Sequence, residues 1–267
     1  MEEYLKIYDT LDRRVLFHFF LGEAGGIGDL VKYFTFLLDY CINNNIKVSY
    51  LKNNIPIENY IQMKHPELYY TGRQIQQTKY ESIMVQDFKE LETMEPNKYY
   101  VVSPHVMYDI YSEDKVSLKY NDVFKFSDMV IINYHVLLSK VPKDYISLHI
   151  RLGDKYLETK SKFCPFDDRK CDEQRIYNFI QNTNENIIVF CDSKLYKEKL
   201  KSQFNKIHIL NSDVGHTSLH TTTEQQVLDG ITEFYIMTKS KSIYAASFSG
   251  FSIEAAKFDH ISYNKLY

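Results

Sequence analysis

From Tyr145 onward, apolar runs of strand length alternate with amphipathic segments of helical period, and this alternation restricts the fold more than any other feature of the chain. Tyr145 to Ile150 reads as a buried strand, Lys155 to Lys170 as a polar loop, and Asp172 to Gln181 as a helix. A strand at Asn186 to Cys191, a helix at Ser193 to Phe204 and a strand at Lys206 to Leu210 follow. After a His/Thr/Ser loop, Asn211 to Thr223, comes the helix Glu224 to Thr238, with Val227, Leu228, Ile231 and Tyr235 on its inward face. Ser242 to Ala246 is the last expected strand, and Ser247 to Ser252 leads into a terminal helix. Strands joined through helices pair in parallel and are covered on both faces. Ligands of such sheets bind beyond the carboxyl ends of the strands. At one such end stands Ser147-Leu148-His149-Ile150-Arg151-Leu152-Gly153-Asp154. His149 and Arg151, two apart, leave the same face of a strand, and Gly153 and Asp154 turn the chain. A permanently charged, fork-shaped Arg at that edge suits a phosphate-bearing ligand. The same residues also read as a solvated loop Arg beside a packed core His.

The first half opens in a related way. Val15 to Leu21 is a strand-length apolar run, Gly22 to Asp29 a glycine-rich turn, and Leu30, Phe34, Leu37, Leu38 and Cys41 recur at helical spacing. A helix is expected from about Asp29, with Asp29 as its N-cap. This strand–Gly loop–helix unit has the local form of a dinucleotide-binding turn, and flexible glycines let backbone amides approach a ligand. It is not a P-loop, because no Gly-Lys-Ser/Thr follows. Further expectations are strands at Ile46 to Leu51, Ile83 to Val85 and Tyr99 to Ser103, and helices at Ile57 to Met63 and Val123 to Leu138. Val141-Pro142-Lys143-Asp144 breaks the last of these, and the domain change is placed there, giving lobes 1–141 and 142–267.

The pattern His-x-Arg-x-Gly-Asp resembles the arginine motif of the fucosyltransferase superfamily of α-1,2- and α-1,6-fucosyltransferases and protein O-fucosyltransferases. Many members carry a second basic residue after the Arg; Leu152 stands there, as in the α-1,2 branch. Gly25-Gly26-Ile27-Gly28-Asp29 resembles the family's Gly-Gly-Leu-Gly-Asn loop, with Asp in place of Asn. Ile187 to Ser193 is similar to its apolar strand ending in Ser-Asp-Asp, matched at Asp192. Ile243 to Gly250 is similar to its Ser-Ser-Phe-Ser segment, matched at Ser247, Phe248, Ser249 and Gly250. The resemblance implies a GT-B-like α/β fold, two Rossmann-like lobes facing across a nucleotide-sugar cleft. It further implies an inverting, metal-independent transfer of fucose from GDP-fucose to a glycan hydroxyl, with no cofactor. Arg151 would grip the diphosphate; Gly25, Gly26, Gly28, His149, Gly153, Asp154 and the segment Ser247 to Gly250 would complete the donor site, with Asp192 holding the guanosine. An inverting attack calls for a base, for which Glu23 and Asp29 on the opposing loop are the candidates. Each also suits a plainer role, loop solvation or helix capping, just as Ser247 or Ser249 suits the cap of the terminal helix. His105, His216 and His220 are loop residues, and Asp167-Asp168 reads as a solvated pair.

Composition narrows the alternatives. The 267 residues carry a net charge of −3, which does not indicate a nucleic-acid or anionic-membrane surface. With 23 Tyr and 17 Phe but no Trp, most aromatic rings are expected in the core. Met1 to Arg14 lacks a signal-peptide pattern and Val15 to Leu21 is too short to span a bilayer, so a cytoplasmic protein without a transmembrane segment is expected. Cys41 and Cys191 read as buried thiols; Cys164 and Cys171 flank a polar loop and are expected as free thiols. Three other readings stay open: a transferase using another nucleotide sugar, a non-catalytic nucleotide-sugar or glycan binder, and an NAD(P)-dependent oxidoreductase. Against the last, the glycine turn lacks the full Gly-x-Gly-x-x-Gly spacing. The acceptor pocket is expected within Asn53 to Ser127.

Overall fold

The computed structural model describes residues 1–19, 25–71, 80–157, 164, 166–217 and 221–267. Glu23 and His220 lie outside the described residues. In chain order the elements are α1 (Glu2–Ile7), β1 (Arg14–His18), α2 (Ile27–Asn43), β2 (Lys47–Leu51), β3 (Ile61–Met63), β4 (Glu81–Met84), β5 (Lys98–Val102), α3 (Tyr120–Val123), β6 (Phe124–Phe126) and α4 (Asp128–Leu138). They continue with β7 (Ile146–Ile150), α5 (Glu173–Asn182), β8 (Ile187–Cys191), α6 (Lys194–Gln203), β9 (Ile207–His208), α7 (Glu224–Thr238), β10 (Ser242–Ala245), α8 (Gly250–Phe258) and β11 (Ser262–Lys265).

Among these residues the strands form two separate parallel sheets, β2-β1-β5-β4 and β11-β10-β7-β8-β9, and an antiparallel pair, β3-β6. In the second sheet the chain winds outward from β7 through β8 to β9, then crosses to the other side of β7 for β10 and β11. The connections leaving β7 and β10 therefore diverge, and a crevice opens between them at the carboxyl edge. In the first sheet the chain passes from β1 to β2 on one side and returns on the other through β4 to β5, so the strand order also reverses between β1 and β5.

Four sequence expectations are corrected. Pro56–Asn59 forms a 3₁₀ turn, and Ile61–Met63 is a strand rather than the end of a helix. The segment expected as one helix from Val123 to Leu138 divides into the end of α3, β6 and α4. Its alternation Phe124-Lys125-Phe126 is a strand period, satisfied by antiparallel pairing with β3. Phe126 also packs on Tyr235 and Phe258, with ring centroids 4.8 and 5.0 Å apart. β10 is not the last strand, since β11 pairs beside it in parallel. Finally, the N-cap of α2 is Gly26 rather than Asp29.

Alternation along β8 sorts its residues between two cores. Ile188 and Phe190 join the large core that fills the space between the sheets, whereas Ile187, Val189 and Cys191 face α5 and α6. The large core also takes in α2, α7 and α8, and α7 is buried along most of its length because it has neighbours on several sides. α1, which the sequence reading did not single out, covers the outer edge of the first sheet. Its Tyr4 and the following Tyr8 donate hydroxyl hydrogen bonds to Ile46 O and Val48 O, both at 2.7 Å. Cys41 and Cys191 are buried thiols, Cys164 is exposed and Cys171 half-buried, all four unbridged. No helix among the described residues is long and apolar enough to cross a membrane.

Candidate active site

The carboxyl edge of β7 sets the central group. Beyond Ile150 the chain leaves the sheet, and Arg151 is bound through its own backbone: its N–H donates to Ser247 Oγ at 2.8 Å, and that hydroxyl donates to Arg151 O at 2.9 Å. Ser247 thus sutures the ends of β7 and β10 rather than capping the terminal helix. The Arg151 guanidinium is held by carboxylates. It pairs with Asp154, with Asp192 at 3.1 Å and more distantly with Asp167 at 3.8 Å. Asp192 also accepts from the N–H groups of Leu152 (2.9 Å) and Gly153 (2.7 Å). A residue expected to hold the guanosine is therefore engaged in fixing the Arg151 loop. Gly153 permits that loop, with φ at +126° and a position where a Cβ would run into the Asp167 backbone.

His149 is buried, and its Nδ1 lies 2.9 Å from Ser252 Oγ. Burial, assisted by the charges of Arg151 and Arg169, drives its pKa down to about 3, so the imidazole is neutral at ordinary pH. His216 follows the same logic, its pKa lowered to about 4 by burial and by Arg151.

Two helix N-termini point at the same space. Ser249 is the N-cap of α8 without a side-chain capping bond, so the helix enters with first-turn N–H groups not met by its own cap. At α2 the cap comes from far along the chain, Ile27 N–H donating to Thr217 Oγ1 at 3.2 Å. Asp29, in the first turn of α2, reaches back to the Gly26 backbone as the acidic half of a capping box does. Its carboxylate occupies the space a Cβ on Gly25 would take, and Gly25 has φ at +70°. Burial raises the Asp29 carboxyl to about 6; Lys32 opposes this and Glu254 adds to it.

These groups surround one cavity of about 590 Å³. Of the residues expected from sequence, Gly25, Gly26, Gly28, Asp29, His149, Arg151, Asp154, Asp192, Phe248, Ser249 and Gly250 line it, while Gly153 and Ser247 stand behind its wall. The sequence reading missed Lys32, Arg169, Glu233 and Glu254, which also line it, and left His216 among the unassigned loop histidines. Arg169 pairs with Asp167 at 3.0 Å and donates to Phe248 O at 2.7 Å, so Asp167 is part of a buttressed cluster rather than a solvated loop acid. Glu233 is buried with Lys197 at 3.8 Å and Ser212 at 2.5 Å. Of these only Arg169, directly after the acidic pair Asp167-Asp168, had a sequence neighbour that could have signalled it. Chemically, the cavity offers two guanidinium groups and helix N–H donors for an anion, and the carboxyls of Asp29, Glu233 and Glu254 line it as well. Among the described residues no group of three or more His, Cys, Asp or Glu side chains is arranged to hold a metal ion.

No protein-family model matches the sequence, and no curated protein matches it. Solved structures do. Fucosyltransferase NodZ from Bradyrhizobium superposes with a TM-score of 0.55 at 9% identity, over 94% of this chain and 96% of that one. A point variant of Arabidopsis thaliana FUT1 in complex with GDP gives 0.60 at 10% identity, over 100% of this chain and 74% of that one. POFUT1 in complex with GDP gives 0.53 at 11% identity, over 96% and 98%. The shared feature is the fold, a GT-B-like arrangement of two Rossmann-like lobes.

Proposed function

We propose that this chain is an inverting, metal-independent glycosyltransferase that moves fucose from GDP-fucose to a glycan hydroxyl. One observation carries the reading. A half-buried Arg at the crevice between β7 and β10, fixed by three carboxylates, shares a 590 Å³ cavity with the uncapped N-terminus of α8. The GDP complexes of structures with the same fold add the nucleotide. We assign residues 142–267 to the donor lobe and residues 1–141 to the acceptor side.

In this mechanism Arg151 and the first amides of α8 stabilise the diphosphate as the sugar–oxygen bond breaks. Arg–carboxylate pairing costs some positive charge but fixes the guanidinium plane before the donor arrives, so little reorganisation is left for the transition state. Ser247, Asp154 and Asp192 serve that pre-positioning. His149, neutral and bonded to Ser252, ties the end of β7 to α8. Glu233, outside the Arg151 cluster, has its pKa raised by burial, which lessens the negative charge a diphosphate must face.

The test is titration calorimetry with GDP, UDP and ADP, followed by turnover of GDP-fucose with and without chelator. GDP is expected to bind tightest, and turnover to persist in chelator. Tighter binding of UDP overturns the donor assignment; nucleotide binding without turnover of any nucleotide sugar overturns the transferase reading in favour of a binding protein.

A further inference from the structure

Two carboxylates line the cavity from different helices, outside the Arg151 cluster: half-buried Asp29 in the first turn of α2 and buried Glu254 in the second turn of α8. The helices are nearly in contact there. A Cβ on Gly28 would stand 3.0 Å from Gly250 O and 3.5 Å from Glu254 Cγ, so the Glu254 side chain lies over the helical turn that carries Asp29. Glu254 is itself held in place. It accepts a 2.5 Å hydrogen bond from Tyr120 Oη and pairs with Lys257 at 3.4 Å, and Lys257 pairs in turn with Glu113 at 3.0 Å. The other titratable and charged groups around the pair are Lys32 and Tyr33 on α2, His105 and Tyr111 beside it, His216 from the loop before α7, and Tyr263 of β11. None of these anchoring contacts involves Arg151 or the carboxylates paired with it.

We propose, on the basis of the fucosyl-transfer reading, that Asp29 accepts the proton of the acceptor hydroxyl and that Glu254 is the positioning residue that keeps Asp29 basic enough to do so. An ordinary carboxylate is a poor base toward an alcohol; a second negative charge fixed beside it, in a site shielded from water, strengthens it. In the step, the acceptor oxygen forms a bond to the anomeric carbon. The bond from that carbon to the β-phosphate oxygen breaks, and its electron pair leaves with GDP toward Arg151. The hydroxyl proton passes to Asp29 and is released to water when the products depart. The pair, rather than either acid alone, then sets the acidic limb of the rate profile.

The decisive variant is Glu254→Gln, which keeps the shape of the side chain and an acceptor for Tyr120 while removing the charge. Its pH profile of kcat should move the acidic limb to lower pH by on the order of one unit, with kcat at neutral pH reduced several-fold and GDP affinity retained. Glu254→Asp should return part of the shift, and Asp29→Asn should lower kcat by about a hundredfold or more. If Glu254→Gln does not fold, Tyr120→Phe replaces it: without that hydrogen bond Glu254 is more readily neutralised, and the limb should move the same way by less. A Glu254 that merely supports the helix contact would lower stability and leave the limb in place. An unmoved limb, or an Asp29→Asn enzyme with full kcat, overturns the assignment and leaves fucosyl transfer standing. Wild-type protein that turns over no GDP-sugar overturns both.

Discussion

Asp29→Asn gives a sharp physical test that needs no substrate. The Asp29 carboxyl sits against the glycine loop at the start of α2, and burial raises its pKa from 3.8 to about 6. A group whose pKa is raised on folding binds its proton more tightly in the native state. Its contribution is complete below the unfolded pKa and is lost as pH rises through about 6. Relative to an acid that titrates alike in both states, the raised pKa therefore costs the fold about 1.6 kcal/mol at pH 5 and about 3 kcal/mol at pH 8. Asn cannot ionise, and its Oδ1 can still accept the Gly26 N–H, so the variant escapes this cost without losing the contact. The expected result is a protein more stable than wild type, with an advantage that widens by about 1.4 kcal/mol between those pH values. The assay is urea denaturation of both proteins in half-unit pH steps, taking the difference at each pH so that every other titration cancels. Two curves separated by a constant gap, or superimposed, would refute the reasoning. Asp29 would then titrate as it does in the unfolded chain, and the case for it as a proton acceptor would go too.

Arg151→Lys keeps the charge but loses the planar fork, so GDP-fucose turnover should fall on the order of a hundredfold while GDP affinity changes much less; rates within twofold of wild type would remove Arg151 as the diphosphate clamp. Gly28→Ala places a methyl group 3.0 Å from Gly250 O, a backbone atom that cannot yield without parting α2 from α8. A loss of about 1–3 kcal/mol by chemical denaturation is expected, and unchanged stability would show that the helices separate freely.

Much of the donor side was legible in the sequence because it is local. The runs Tyr145 to Ile150 and Asn186 to Cys191 carry their strand character in consecutive apolar residues, and α7 runs from Glu224 to Thr238 as its period and its Thr223 cap require. A strand that ends in Arg151-Leu152-Gly153-Asp154 announces its own turn. Short segments were harder. Phe124–Phe126 and Ile61–Met63 are too brief to declare a period, and they are strands only because each finds the other across 61 residues of chain or more, as the pairing of Met63 with Phe124 shows.

The sequence by itself determined that strands would alternate with helices, that the sheets would be parallel, and that Arg151, the glycine turn and Ser249 would stand at strand or helix ends. Only the tertiary structure decided that β10 lies against β7, which brings Ser247 to the Arg151 backbone from 96 residues away. It likewise placed Thr217 at the start of α2 and folded three carboxylates around one guanidinium. Asp29 and Glu254 became neighbours because Gly28, with no Cβ to meet the Gly250 carbonyl, lets α2 and α8 close to contact distance. The physical reason is the range of the forces concerned. Backbone hydrogen bonding and side-chain period act within a few residues and are written along the chain. Strand order, helix contact and the pKa of a buried acid depend on which distant surfaces exclude water from one another.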